Sequence, residues 1–584
     1  MAFKETDTSE LFVKYFKPEL LHGENKVKRL DEAIREYIKP GMHIYSAYLP
    51  FALTYEIVRQ FHTRKSDFTV SCLGGVDNTI IMAVAGMVKR IIASYVGLTL
   101  PSPVLSGALQ HAISKGMVIE NWSLFTIVQR LQAAALNLPF MPVRSLKGSS
   151  IAEENEERGL YKKIANPFNG ETVGVVKPLE PDVTIMHAYC ADSAGNAIPV
   201  LPFTEEAYGA FASKEGVILS VEKIVSTEYL RKNAFNVKVP ASIVKCVVEA
   251  PFGMHPYGCR GHDGYGYGED VEFAKELQAA FRESETAKDW IKKWVLDVKS
   301  HENYLRQLTP ERLHMLRGSI SHGDLKIDAL EVVEKLSSAP ANRTEKAVVF
   351  AAREVIESVR RQKCNTILAG IGISHLAAWM ATYMLRSNKV AVHLIVELGL
   401  FGYLPPPTKP FLVSVKGLDS CIMIAGAKDI LGFVANKTQV LACISAAQID
   451  KHGNINSTKI GDFFLFGSGG ANDISTTAKE VIVTLLHDKK RLVEEVPYIT
   501  CPSRNVKKVV TDRAVFEKDG DELILKKIYA KTGESEADAI SNITQNMGWK
   551  PKISSDLLQL DEPRREEILM LRCFDPDRHL LGKL

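Results

Sequence analysis

The nine cysteines of this chain are odd in number and never fall in a Cys-x-x-Cys pair. Neither a disulfide framework nor a zinc ribbon is therefore expected, and the thiols read as reduced and mostly buried. No His/Cys/Asp cluster has metal-ligand spacing, so no metal site is expected. No apolar run approaches the length of a membrane span. The segment 1–10 carries acidic residues where a secretory leader would carry basic ones before an apolar core, which implies a cytoplasmic protein with no membrane partner. Nor does either sign of charge dominate. With 72 Lys and Arg against 69 Asp and Glu the formal net charge is +3, so nothing calls for nucleic acid as a partner. Phosphate-bearing small ligands stay open.

What is present is the composition of a soluble globular enzyme, 46% hydrophobic and 24% charged over 584 residues. That length exceeds a single core and implies two domains or more. Asp192-x-x-Gly195-Asn196 recurs as Asp450-x-x-Gly453-Asn454, each after a short strand of apolar or small residues, and Val118-Ile-Glu120 recurs loosely as Ile395-Val-Glu397. Two related halves are implied. Between them, residues 337–344 are polar, proline-bearing and free of apolar periodicity, as in a linker. Thr344 is expected to cap a helix whose Val348, Phe350, Val355, Ile356 and Val359 keep an apolar face. Charged surface helices are expected at 264–300 and in the last 30 residues. The division expected is 1–325, a linker at 326–343, and 344–584.

Two glycine turns carry the chemistry. Residues 389–396 form a mostly aliphatic run that reads as a central strand of a parallel sheet, and it ends at Glu397, which opens Glu397-x-Gly399-x-x-Gly402. Open α/β sheets place ligands at the carboxyl ends of their strands, so a lone carboxylate there is a candidate nucleophile. Glycines let the backbone turn sharply and let a bulky substrate approach. Roughly 0.2 chance matches to this pattern are expected at ordinary composition, so its position and company must decide. The company is a short apolar strand at 462–466 running into Gly467-Ser-Gly469-Gly470-Ala471-Asn472-Asp473 and then a helix-compatible segment. Such a turn points backbone N–H groups at an anion or a developing oxyanion. An ordinary strand-to-helix loop is the alternative.

Together the two turns resemble the class I coenzyme A transferases, and within them the glutaconate CoA-transferase-like branch. Residues from about 25 to 320 resemble the α subunit through Gly74-Gly75-Val-Asp77, Ile119-Glu-Asn-Trp-Ser123, Leu138-Pro-Phe-Met-Pro142, the Asp192 turn and Pro251-Phe-Gly-Met-His255-Pro256. Residues from about 344 to 545 resemble the β subunit through Gly370-Ile-Gly372-Ile, the Glu397 turn, the Asp450 turn and Gly469-Gly470. The resemblance implies two open, mainly parallel α/β domains in tandem, of the CoA-transferase and sugar-phosphate-isomerase-like fold. The active site should lie between them, with Glu397 facing the 72–77 loop.

It also implies a ping-pong transfer of CoA from an acyl-CoA donor to a carboxylic acid acceptor. Glu397 would attack the thioester to give an acyl-glutamyl anhydride and CoA thiolate, which then returns to form a glutamyl-CoA thioester. By motif position, Gly399, Gly402, Gly469, Gly470, Ala471 and Asn472 would frame the oxyanion and CoA, and Cys72, Gly74 and Gly75 the substrate pocket. No tightly bound cofactor is implied, coenzyme A thioester being a substrate, and a homodimer or higher homo-oligomer is expected. The chain departs from the wider class at Met42–Pro50, which lacks the glycine-rich turn many members carry after the first strand, and at Cys72-Leu73, where an asparagine would help hold the oxyanion. Glu120 lacks following glycines and reads as a structural carboxylate, His187 and His393 as core histidines, and 258–268 as a mobile aromatic loop near the acyl pocket. Two rival functions stay open: a hydrolase on the same scaffold, acting on a thioester or opening a ring, and a catalytically silent binding protein.

Overall fold

Buried β-branched and aliphatic segments of the first half line up as parallel strands, because such side chains fill both faces of a sheet covered by helices. In this computed structural model, which describes residues 8–16, 23–202, 207–320, 339–407, 411–437 and 439–583, seven of these strands form one parallel run. Their order is 244–249, 217–224, 183–191, 43–47, 68–71, 88–93 and 118–121, with Ala197–Pro199 added antiparallel. His43–Ala47 is central, and the chain winds outward from it in both directions.

The second half repeats the plan around Thr366–Ala369. Strands 393–396, 366–369, 440–445, 480–484 and 506–510 are parallel neighbours, and the sheet is extended to ten strands by antiparallel pairs at each end and a last parallel strand at 553–559. Order reverses between Thr366–Ala369 and Val440–Ser445, so their carboxyl ends splay and leave a crevice, the position at which doubly wound sheets take ligands. The expected mixed α/β architecture with two mainly parallel sheets is what the chain adopts.

The Asp-Gly-Asn repeat is one turn built twice. Asp192 Oδ1 accepts the N–H groups of Gly195 and Asn196 at 2.9 Å, and its Oδ2 accepts Asn196 Nδ2 at 2.9 Å. Asp450 Oδ1 accepts His452 and Asn454 N–H at 2.9 Å, and its Oδ2 accepts Asn454 Nδ2 at 3.0 Å.

Several local expectations need correction. The strand before Glu397 covers only His393–Val396, because Lys389 is in the left-handed region at φ 60°. It is also not central: its outer neighbour is the antiparallel pair Leu400–Phe401. The helix at Arg343–Gln362 is capped by Asn342, whose side chain accepts Glu345 N–H while Glu345 accepts the Asn342 N–H, each at 2.9 Å. This capping box displaces Thr344 from the role. Residues 321–338, most of the expected linker, lie outside the described residues. The helices Val271–Ala280 and Ser284–Ile291 are less superficial than their charge implies, burying Phe273 and Trp290. No helix among the described residues is long and apolar enough to cross a membrane.

Candidate active site

Glu397 follows three fully buried strand residues, Leu394, Ile395 and Val396, and turns immediately into Leu400–Phe401. The hairpin is tight: Gly399 N–H donates to Val396 O at 3.1 Å. A Cβ on Gly399 would lie 2.0 Å from Ala425 O, and its φ is 114°, so only glycine fits. The strand thus delivers the carboxylate to the sheet's edge while the glycine turns the chain away from it.

The second glycine turn meets it there. Gly470 N–H lies close enough to the Glu397 carboxylate to favour its charged form, and a Cβ on Gly470 would fall 1.9 Å from Glu397 Oε2. Gly469 does not offer its N–H to the site, since it donates to Ser94 O of the first half at 2.8 Å, while Gly469 O accepts Leu124 N–H at 2.9 Å. Ala471 N–H donates to Ser468 O at 3.0 Å. Of the predicted donors, Gly470 is therefore the one aimed at the carboxylate. The expected strand at 462–466 is only Phe463–Phe464, paired with Lys459–Ile460.

Asn472 and Asp473 fasten this turn to the first half. Asn472 Oδ1 accepts Leu146 N–H at 2.8 Å. Asp473 Oδ1 accepts Ser123 Oγ at 2.7 Å and Ser145 Oγ at 2.5 Å, and its Oδ2 accepts Phe125 N–H at 2.9 Å. Upstream, Phe466 stacks on Tyr95 at 5.6 Å and accepts Val96 N–H at 2.8 Å.

Electrostatics follow from this burial. Glu397 is 7% exposed, and desolvation, reinforced by the negative charge of Asp473 and opposed by the Gly470 N–H, pushes its pKa up to about 7. Burial likewise pushes Asp473 up to about 6 against the pull of its Ser145, Phe125 and Ser123 bonds. A carboxylate so poorly solvated is a reactive nucleophile once ionised.

Two cavities meet at Glu397, and Tyr95, Pro103, Ile371 and Gly469 line both. The smaller, about 210 Å³, is walled by Leu73, Gly74 and Val76 of the first half and by Leu412, Val413 and Val415 of the second. The larger, about 550 Å³, runs over the crevice at Gly370, Gly372 and Ser445 and includes the exposed Lys490 and Arg491. The 72–77 loop thus shares a cavity with Glu397, though not through every residue named. Gly74 lines it, Gly75 pairs with Val96, and Cys72 packs into the hydrophobic core on the other side. Gly402 shapes the hairpin from outside either cavity.

In the Met42–Pro50 segment, where a glycine-rich turn is absent, Tyr48 and Leu49 hold φ values of 54° and 49° and line the smaller cavity. The residue types depart from the pattern while the backbone takes a glycine-like course, a strain of a kind that collects at functional sites.

Glu120 is structural, accepting Trp122 Nε1 at 2.9 Å and pairing with Arg130 at 3.3 Å. His187 is a satisfied core histidine, with Ser220 Oγ and Glu222 Oε1 each at 2.9 Å. With Cys259 they form the one trio among the described residues whose ligand-type atoms gather within 4.8 Å. Glu222 there already accepts the N–H groups of Phe252 and Gly253, and burial drives the Cys259 thiol away from thiolate, so the trio is a closed polar network. His393 stacks on Phe401 at 4.9 Å. Residues 258–268 form a hairpin pairing Cys259 with Tyr267, whose buried ring packs on Phe252 at 4.4 Å, in place of an open loop. Gly258 lines the smaller cavity.

The chain matches the family model for coenzyme A transferase over residues 27–250. Both polypeptides of the glutaconate CoA-transferase of Acidaminococcus fermentans are similar to it. It is 30% identical to one of them over 50% of this chain and 95% of that polypeptide, and 34% identical to the other over 24% of this chain and 54% of that polypeptide. It is 32% identical to the cholesterol ring-cleaving hydrolase IpdA subunit of Mycobacterium tuberculosis over 44% of this chain and 88% of that protein. Among solved structures, the acyl-CoA transferase YdiF apoenzyme from Escherichia coli O157:H7 superposes over 97% of this chain and 98% of that one, with a TM-score of 0.64 and 18% identity, a likeness of fold.

Proposed function

Because the chain belongs to the coenzyme A transferase family, with counterparts of both glutaconate CoA-transferase polypeptides in one, we propose that it moves CoA from an acyl-CoA donor to a carboxylic acid acceptor through Glu397. The single observation that carries this is the seat of Glu397 at the meeting of an apolar cavity and a larger groove with basic residues. The acyl group occupies the first. The second takes CoA, with Lys490 and Arg491 toward its phosphates.

A Glu397 oxygen attacks the thioester carbonyl carbon, the C–S bond breaks, and the thiolate leaves a mixed anhydride. The thiolate then attacks the Glu397 carbonyl carbon and displaces the donor's carboxylate. The acceptor carboxylate reverses both steps. Gly470 N–H, close beside the resting carboxylate, stays beside each tetrahedral centre, where one such donor is worth about 3 kcal/mol. The domain-level reading is an α-like unit at 1–325 and a β-like unit at 344–584, and the fused chain associates at least as a homodimer, which light scattering tests.

The deciding experiment is incubation with acyl-CoA and no acceptor, followed by intact mass. CoA should accumulate on Glu397, Glu397→Ala should abolish transfer, and Glu397→Asp, withdrawn by more than about 1 Å, should lose about 100-fold. Transfer surviving in folded Glu397→Ala would remove the covalent mechanism. Release of free acid at full rate without acceptor would favour the hydrolase, the reading that the IpdA likeness supports.

A further inference from the structure

The cavity beside Glu397 is short of one thing a substrate would need if its acyl chain ended in a second carboxylate. Among the described residues none of its lining side chains is Lys or Arg, and its other carboxylate, Glu269, already accepts Val415 N–H at 2.7 Å and Ser414 Oγ at 3.1 Å. The imidazole that reaches it, His375, is 2% exposed and packed on Trp379 at 4.6 Å. The remaining wall is aliphatic or aromatic, with Leu73, Val200, Met254, Phe411 and Leu412 prominent. The basic residues of the site, Lys490 and Arg491, line the other groove and not this one.

We propose that the acyl substrates are uncharged, apolar chains of medium length and not dicarboxylates. This rests on the transfer reading above for the identity of the acyl pocket. A distal carboxylate would be desolvated beside Glu269 and Glu397 with no Lys or Arg among the described lining residues to meet it, and an unpaired buried charge is strongly unfavourable. Size gives the length. An apolar cavity of about 150 Å³ holds benzene, so one of about 210 Å³ takes about six to eight carbons. The hydroxyls of Tyr257 and Thr99 do not alter the charge argument, because they are bonded to each other at 2.5 Å and Tyr257 donates onward to Asp77. A third carboxylate thus stands behind the wall.

The test is a matched pair, hexanoyl-CoA and adipoyl-CoA, which differ only in a terminal methyl against a carboxylate. Disappearance of the acyl-CoA itself, with release of its free acid, is followed by quenched mass analysis in single turnover with enzyme in excess and no acceptor. Hexanoyl-CoA should be consumed about 100-fold faster at subsaturating concentration. Val413→Lys, at the half-buried edge of the wall, should rescue adipoyl-CoA and narrow the ratio at least tenfold. If that variant does not fold, the wild-type ratio decides alone. Adipoyl-CoA consumed within tenfold of hexanoyl-CoA, or neither consumed, overturns the inference. Failure of the covalent reading looks different: hexanoyl-CoA would be consumed preferentially while no CoA appeared on Glu397.

Discussion

Replacing Gly470 by alanine should disable this enzyme without unfolding it. The new Cβ would lie 1.9 Å from Glu397 Oε2 and 2.8 Å from its Cδ, whereas non-bonded heavy atoms rest about 3.5 Å apart. Glu397 must therefore retreat by more than about 1 Å, because the turn cannot: Gly469 and Asp473 are tied to Ser94, Leu124, Ser123, Ser145 and Phe125 of the other half. A displacement of about 1 Å at a reacting group costs about 100-fold. The backbone contributes little, since Gly470 sits at φ −86° and ψ 1°, where alanine is allowed. Single-turnover formation of the CoA adduct should slow about 100-fold, while the Tm stays within a few degrees of wild type. A folded Gly470→Ala protein that forms the adduct at the wild-type rate would refute the idea that this turn fixes the nucleophile.

Burial and Asp473 push the Glu397 pKa up to about 7; in the proposed mechanism only the ionised form attacks, so the single-turnover rate should rise with pH through neutrality, and a flat profile from pH 5 to 8 would contradict this. Asp473→Asn removes the like charge and should move that limb to lower pH. The raised pKa also means that the stability contributed by Glu397 is complete below its ordinary 4.5 and is lost as pH rises through about 7. Glu397→Gln should flatten this part of the Tm-against-pH curve. Asp192→Ala and Asp450→Ala should each cost about 3 kcal/mol in urea denaturation, several buried donors losing their acceptor at once; a loss below about 1 kcal/mol would show the turns to be dispensable. Glu354→Ala takes from buried Lys508 its shortest partner, at 2.5 Å, and leaves it Glu517 at 3.3 Å and Glu357 at 3.7 Å, so by the same measurement it should cost about 1–3 kcal/mol, less than a fully unpaired buried charge.

Glu397 was legible because a strand of buried aliphatic residues and a glycine turn are both local signals. The two halves were legible because a side-chain-closed turn needs the same Asp, Gly and Asn wherever it is built. Cys72 misled because side chains alternate at a strand end, so a one-residue uncertainty exchanges the faces: Leu73 and Gly74 reach the cavity and Cys72 the core. Ser94, Ser123, Ser145 and the 411–415 wall were invisible, since each acquires its role from a partner more than a hundred residues away. Asp473 lay inside a recognised motif, yet its charge on Glu397 depends on burial that no spacing reveals. The left-handed course at Tyr48 and Leu49 was hidden by residue types that usually exclude it.

The bonds around Gly469, Asn472 and Asp473 make the active site a property of neither half. Glu397 and Gly470 come from one, while the carbonyl, hydroxyls and amides that hold the turn come from the other. As separate chains, the two would form a working centre only at concentrations above their dissociation constant. Covalent continuity replaces that concentration with an effective one that does not change on dilution. Catalysis per chain should then be independent of dilution so far as this contact is concerned, and synthesis delivers the parts in equal number.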